Sequence, residues 1–211
     1  MKKSLLLLGV IAALAIGAPA YSQYIYLDVN GDGVWSSLGD GLTSASTSVG
    51  VWLDTNHRAP DLGGGGALVT CADGTNPLDI GSYDIILHSS GAGSVAYGAW
   101  TNNMTGYAVL NPPTTAGADF GVGFGSAGSY NPAGLYKLGS LAITVTGSPV
   151  ITFSTGALGI PSPVTGFGSE CSGSDNPNTI TLGLDFFDNH GTAPTTPVAS
   201  TTWGKIKQLY K

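Results

Sequence analysis

The sequence predicts an all-β protein of about nine short antiparallel strands, arranged as a sandwich or jelly roll. Three observations lead there. Apolar residues alternate with polar or small ones over runs of four to eight residues, the period of a strand with one buried face. Glycine is abundant, with 33 residues in 211, while charged residues make up only 9% of the chain. Beyond the first twenty residues no uninterrupted run of Ala, Leu, Glu, Lys and Arg is long enough to favour a helix.

The strands follow in order. "YIYLDV" is the first. Val49, Val51 and Leu53 alternate with Trp52, and Tyr83, Ile85 and Leu87 alternate with Asp84, Ile86 and His88. "GSVAYGAW" and "TGYAVL" come next, then Phe120, Val122 and Phe124 separated by glycines. Leu141, Ile143 and Val145 in "LAITVT" and Ile151 and Phe153 in "VITFS" read as a hairpin turning at Gly147-Ser148-Pro149. Ile180, Leu182 and Leu184 in "TITLGL" close the series.

The ends of the chain differ from its middle. "MKKSLLLLGVIAALAIGAPA" has a basic start, an apolar stretch from Leu5 to about Ala18 and the small-residue site Ala18-Pro19-Ala20. This is the layout of a secretory signal peptide over residues 1–20, and it is too short for the ~20 residues that span a bilayer. Residues 21–45 hold the first strand and a polar loop, 46–190 the sandwich, and 191–202 a Pro/Thr-rich linker. Residues 203–211, "WGKIKQLYK", form a basic peptide whose Trp203, Ile206 and Tyr210 would share one helical face. The expected location is extracellular or at the cell surface. All thirteen acidic residues lie beyond Ala20, which argues against nucleic acid as a partner. No later segment is apolar enough to be transmembrane.

Two cysteines in an exported chain leave one pairing, Cys71–Cys171. The loop it closes, about 100 residues long, would be worth on the order of 4–5 kcal/mol in the chain-entropy account.

The motif with the clearest chemistry is "DVNGDGVWSSLGD", from Asp28 to Asp40. Calcium prefers hard oxygen ligands on alternate residues of a tight loop. Asp28, Asn30 and Asp32 supply the first, third and fifth positions, the Val34 carbonyl the seventh and Ser36 the ninth. Gly33 allows the sharp turn. The twelfth position is Gly39 rather than an acid, so Asp40, one place late, is the expected closing ligand. A turn rich in Asp and Asn that binds nothing is the alternative. With no helices to move, such a loop would lock the N-terminal segment against the sandwich rather than act as a sensor.

Other clusters carry less. His57 and His190, in "WLDTNHR" and "LDFFDNHG", lack the spacing that specifies a transition metal. The only glutamate, Glu170, has no marked carboxylate partner, and neither G-x-S-x-G nor HExxH occurs. The expectation is a protein that is not an enzyme. Trp35, Trp100, Tyr97 and Tyr107 are the candidates for stacking against a ligand, with core packing as the competing reading.

The order "TSVGVWLDT", "GSYDIILHSSGAGSVAYGAW" and "GLYKLGSLAITVTGSPVITFS" resembles cohesin modules and related carbohydrate-binding sandwiches, over about Ser46 to Phe187. "LDVNGDGVWSS" separately resembles one half of a dockerin calcium repeat. The resemblance implies a nine-stranded jelly roll in a non-catalytic extracellular role. Its partner would be an extracellular protein or, alternatively, a polysaccharide. A filament subunit or homo-oligomer joined through edge strands is the third expectation.

Overall fold

The computed structural model describes residues 23–57, 70, 78–156, 158, 164–169, 178–181 and 187–193. The expected signal peptide, Cys71, Cys171, Leu182, Leu184 and the peptide 203–211 lie outside the described residues.

The described chain is all β. Its nine strands are β1 (Gln23–Asp28), β2 (Ser48–Asp54), β3 (Ser82–Asn102), β4 (Tyr107–Ala116), β5 (Asp119–Ser126), β6 (Leu135–Phe153), β7 (Gly166–Ser169), β8 (Asn178–Thr181) and β9 (Phe187–His190). They form one mixed sheet in the order β4-β5-β3-β6-β2-β1-β9, with β7 attached to β3 and β8 to β7. All pairings are antiparallel except that of β1 with β9, which is parallel. A purely antiparallel sheet was expected, so this edge is a correction. Among the described residues no helix is long and apolar enough to cross a membrane.

The strand count agrees with the expectation, but through two errors that offset two omissions. β3 and β6, of 21 and 19 residues, each merge two expected strands into one. They pair antiparallel from Leu87↔Phe153 to Asn102↔Gly139. The hairpin expected at Gly147-Ser148-Pro149 is therefore absent. Gly147 (φ 76°) lies opposite Gly93 (φ 152°), and Ala92 opposite Ser148, so both strands bend together without reversing. Only glycine adopts these angles at little cost. A side chain on Gly93 would also meet the Thr146 carbonyl, and one on Gly147 the Ala92 carbonyl. The omitted strands, β7 and β9, read GFGS and FDNH, one glycine-rich and the other typical of turns.

The bend brings the two halves of the sheet face to face, as in a sandwich. Alternate residues point inward, the odd-numbered ones in β1, β2 and β3 and Phe120, Val122 and Phe124 in β5. Ile25, Leu27, Val49, Val51 and Leu53 from β1 and β2 join Tyr83, Ile85, Leu87, Phe120, Val122 and Phe124 from β3 and β5 in one core. Charged groups are too costly to bury here without partners, which fits a chain with so few of them. A seam closes the far side. Thr192 donates its N–H to Ile151 O at 2.8 Å, and Ile151 N–H donates to Thr192 Oγ1 at 2.8 Å. Gly191–Ala193, expected to begin a linker, thus belongs to the fold, with Ala193 buried.

β1 is an interior strand, buried at all six residues between β2 and β9. It is part of the sandwich rather than a segment laid against it. Among the described residues β4 is an edge strand; it carries Pro112 and Pro113, with register shifts at Val109/Asn111 and Asn111/Thr114. Proline and bulges of this kind blunt an edge against further pairing.

Candidate functional site: the Asp28–Asp40 loop

The loop leaves the end of β1 and returns to the sheet at Asp40. Its two terminal carboxylates organise it from inside. Asp28, almost fully buried, accepts Gly31 N–H at 2.6 Å on Oδ1, and Gly33 N–H at 3.0 Å and Trp52 Nε1–H at 3.1 Å on Oδ2. Asp40, fully buried, accepts Val29 N–H at 2.7 Å and Asn30 N–H at 3.3 Å on Oδ1, and Ser36 N–H at 2.6 Å on Oδ2. Six N–H donors thus serve two buried charges. That accounts for carboxylates so deep in a chain with few cations, since a buried charge must be hydrogen-bonded.

Between these ends, Asn30 and Asp32 face each other. Asn30 Nδ2 donates to Asp32 Oδ2 at 2.9 Å, Asp32 N–H donates to Asn30 Oδ1 at 2.9 Å, and Val34 N–H donates to Asp32 Oδ1 at 2.8 Å. Gly31 (φ 81°) and Gly33 (φ 80°) both take the left-handed conformation, which places glycine where the motif requires it. Ser36 turns its hydroxyl to Leu38 and Gly39 N–H groups, at 3.2 and 3.1 Å. The Val34 side chain is exposed.

All six expected metal-site residues therefore fall within one compact loop, and Asp40 is its inner closing residue. Their oxygens are hard donors of the type calcium takes. In this arrangement, however, the side-chain oxygens are directed largely at N–H groups of the loop itself. Among the described residues no three carboxylate, imidazole or thiol groups are grouped so as to hold a metal ion.

Beneath the loop lies a second, smaller apolar cluster that the sequence reading missed. Tyr24 and Tyr26, on the face of β1 opposite the main core, pack with Trp35 and Trp52. The rings run in series. Trp35 stacks on His190 at 3.9 Å between centroids, His190 meets Tyr24 edge-on at 5.5 Å, Tyr24 stacks on Tyr26 at 4.8 Å, and Tyr26 on Trp52 at 6.2 Å. Lys137 Nζ lies 5.9 Å over Trp52. Tyr26 OH donates to Gly33 O at 2.5 Å, and Trp35 Nε1–H to Gly191 O at 2.9 Å. Burial first, and then the charges of Asp28, Asp54, Asp32 and Asp40, push the Tyr26 phenol far above its ordinary range, so it stays a donor. The signal for this cluster was in the sequence: Tyr24, Tyr26 and Trp52 occupy the even, outward positions of strands whose odd positions build the core.

The other three stacking candidates lie elsewhere. Tyr97, Trp100 and Tyr107 are half-buried against the main core. Tyr97 packs on Phe120, Trp100 on both Phe120 and Tyr83, and Tyr107 on Tyr83. Their hydroxyls are tied down, Tyr97 to Ala118 O at 3.3 Å and Tyr107 to Ile80 O at 2.5 Å. Burial raises both phenols to about 12. They do not form a flat exposed platform with Trp35.

His57 and His190 have different partners. His57 Nδ1 sits 3.1 Å from Asp54 Oδ2, and His190 belongs to the aromatic series. His88 pairs with Asp119 at 2.7 Å on an open surface.

No protein family, curated protein or solved structure matches this chain.

Proposed function

We propose that the protein is a secreted, non-catalytic β-sandwich module, stabilised by calcium at Asp28–Asp40, that binds a protein partner outside the cell or at its surface. The observation that carries this reading is the loop itself. It combines a D-x-N-x-D-G sequence, left-handed glycines at Gly31 and Gly33, and an acid at Asp40 held inside the turn. Asn30, Asp32, the Val34 carbonyl and one oxygen each of Asp28 and Asp40 would hold the ion, which adds the positive charge the loop lacks. The same account covers the low charge and high glycine content, which leave a modest core in need of reinforcement. The signal-peptide layout of residues 1–20, the expected Cys71–Cys171 pairing and the resemblance in sequence to cohesin modules support an extracellular jelly-roll module.

Polysaccharide binding draws no support from the inward packing of Tyr97, Trp100 and Tyr107, and the blunted β4 edge does not favour a filament. The test is a binding assay with immobilised protein, offered extracellular proteins from its own source and, separately, insoluble polysaccharides, in calcium and in EDTA. The reading predicts a protein retained in calcium and released by EDTA, and retained more weakly by an Asp40→Ala variant. Retention on polysaccharide alone would overturn it.

A further inference from the structure

We infer that the Asp28–Asp40 loop is a latch on the C-terminal end of the fold, and that it controls whether β9 and Gly191–Ala193 stay docked. Contacts at two points tie the two together. Trp35 stacks on His190 at 3.9 Å and donates its indole N–H to Gly191 O at 2.9 Å. Ala193 N–H donates to Asp40 O at 2.9 Å as part of the parallel bridge between Ala193 and Gly41. The loop thus grips the chain from both sides of the seam that Thr192 makes with Ile151.

Apart from the seam to Ile151 and the edge contact of His190 with Tyr24, what the latch holds is a short strand. β9 pairs with β1 over four residues, from Gln23↔Phe187 to Tyr26↔His190. Where that pairing starts, the side-chain amide of Gln23 is fully buried, and neither its nitrogen nor its oxygen has a hydrogen-bond partner among the described residues. A buried amide without a partner weakens its surroundings, so the short β1–β9 junction is a place where the sheet can open locally. Short elements with few contacts open locally before the core does. Detachment of β9 would bare the β1 edge from Gln23 to Tyr26 and free the chain from Phe187 onward.

Because the latch is the same loop, anything that rigidifies the loop also holds β9 down. Coupling of this kind is reciprocal. That calcium is the rigidifying ligand rests on the function proposed above; the latch itself does not.

Hydrogen exchange on the full chain, read by mass spectrometry, tests both. In EDTA, peptides covering 187–193 should exchange faster than those covering 85–87 and 122–124. Trp35→Ala should raise exchange at 187–193 at least tenfold and leave the core peptides unchanged. Trp35→Phe, which keeps a ring but loses the bond to Gly191, should fall between, and provides the comparison if Trp35→Ala does not fold. Leu38→Ala, at the exposed tip of the same loop, should change nothing. Exchange at 187–193 that is unaltered by the Trp35 variants, or that rises in step with the core, overturns the latch. Calcium should slow 187–193 in the wild type; if it does not while the Trp35 variants behave as expected, the latch stands and the calcium reading falls.

Discussion

Asp40 is the residue on which the loop depends most. Its carboxylate serves three N–H groups from inside the fold, and removing it leaves those partly buried donors without that partner. Asp40→Ala is expected to cost about 2–4 kcal/mol, measured by urea denaturation, against about 0.5 kcal/mol or less for Leu38→Ala. Asp84 shows the opposite economy. It is pressed over Gly123 and accepts Asn111 Nδ2–H at 2.6 Å, and burial raises its carboxyl above the usual range despite that bond. An acid whose folded pKa is raised binds protons more readily folded than unfolded, so stability falls as pH rises from the unfolded value through the folded one. Asp84→Asn should therefore raise the melting temperature at pH 7 and flatten its pH dependence above pH 4, while keeping an oxygen for Asn111. A melting temperature at pH 7 below that of the wild type would show that the carboxylate charge itself is needed.

At the scale of elements, the long ribbon of β3 and β6 decides the architecture, and its bend rests on glycine. Gly147→Ala must adopt a left-handed conformation and also meet the Ala92 carbonyl. Gly128→Ala takes a similar angle, φ 80°, in open space. Gly147→Ala is expected to cost about 1–2 kcal/mol more than Gly128→Ala, as read by thermal or urea unfolding. The same glycines explain what the sequence could not convey. Alternating Leu141–Val145 and Ile151–Phe153 marked β6 correctly as buried strand. Gly-Ser-Pro between them looks locally like any turn, and only the paired bend at Gly91–Gly93, distant in sequence, keeps the ladder intact. β9 was hidden for a related reason: Asp, Asn and His favour turns, and FDNH becomes a strand because β1 and the loop hold it there. The loop was legible residue by residue because its spacing is local chemistry. The aromatic series beneath it was not, since it needs β1, β2, β9 and Trp35 brought together in space.

For the molecule as a whole, the tyrosines limit stability in alkali. Burial holds the Tyr97 and Tyr107 phenols up at about 12, and those of Tyr26 and Tyr83 higher still. Phenols that ionise more easily in the unfolded chain destabilise the fold once pH passes their ordinary value near 10. Stability should hold to about pH 10 and fall between pH 10 and 12. Tyrosinate absorbance should then appear together with loss of β-sheet circular dichroism, as a single transition. Titration of these tyrosines with the sheet intact would contradict the burial described here. The proposed calcium would act at the same scale, because a ligand that binds only the folded state stabilises all of it. A calcium site that lacks the usual twelfth-position acid would be a weak one, with Kd on the order of 10⁻⁴ M. At about 10 mM calcium this amounts to about 2.7 kcal/mol. The most direct measurement is a thermal melt of wild type and Asp32→Asn in EDTA, in about 10 mM calcium and in equal magnesium. The account predicts that calcium raises the wild-type melting temperature by several degrees, that magnesium does so far less, and that the variant loses most of the gain. Equal melting temperatures in calcium and EDTA would contradict it, and would make Asp28–Asp40 a turn complete in its own hydrogen bonds.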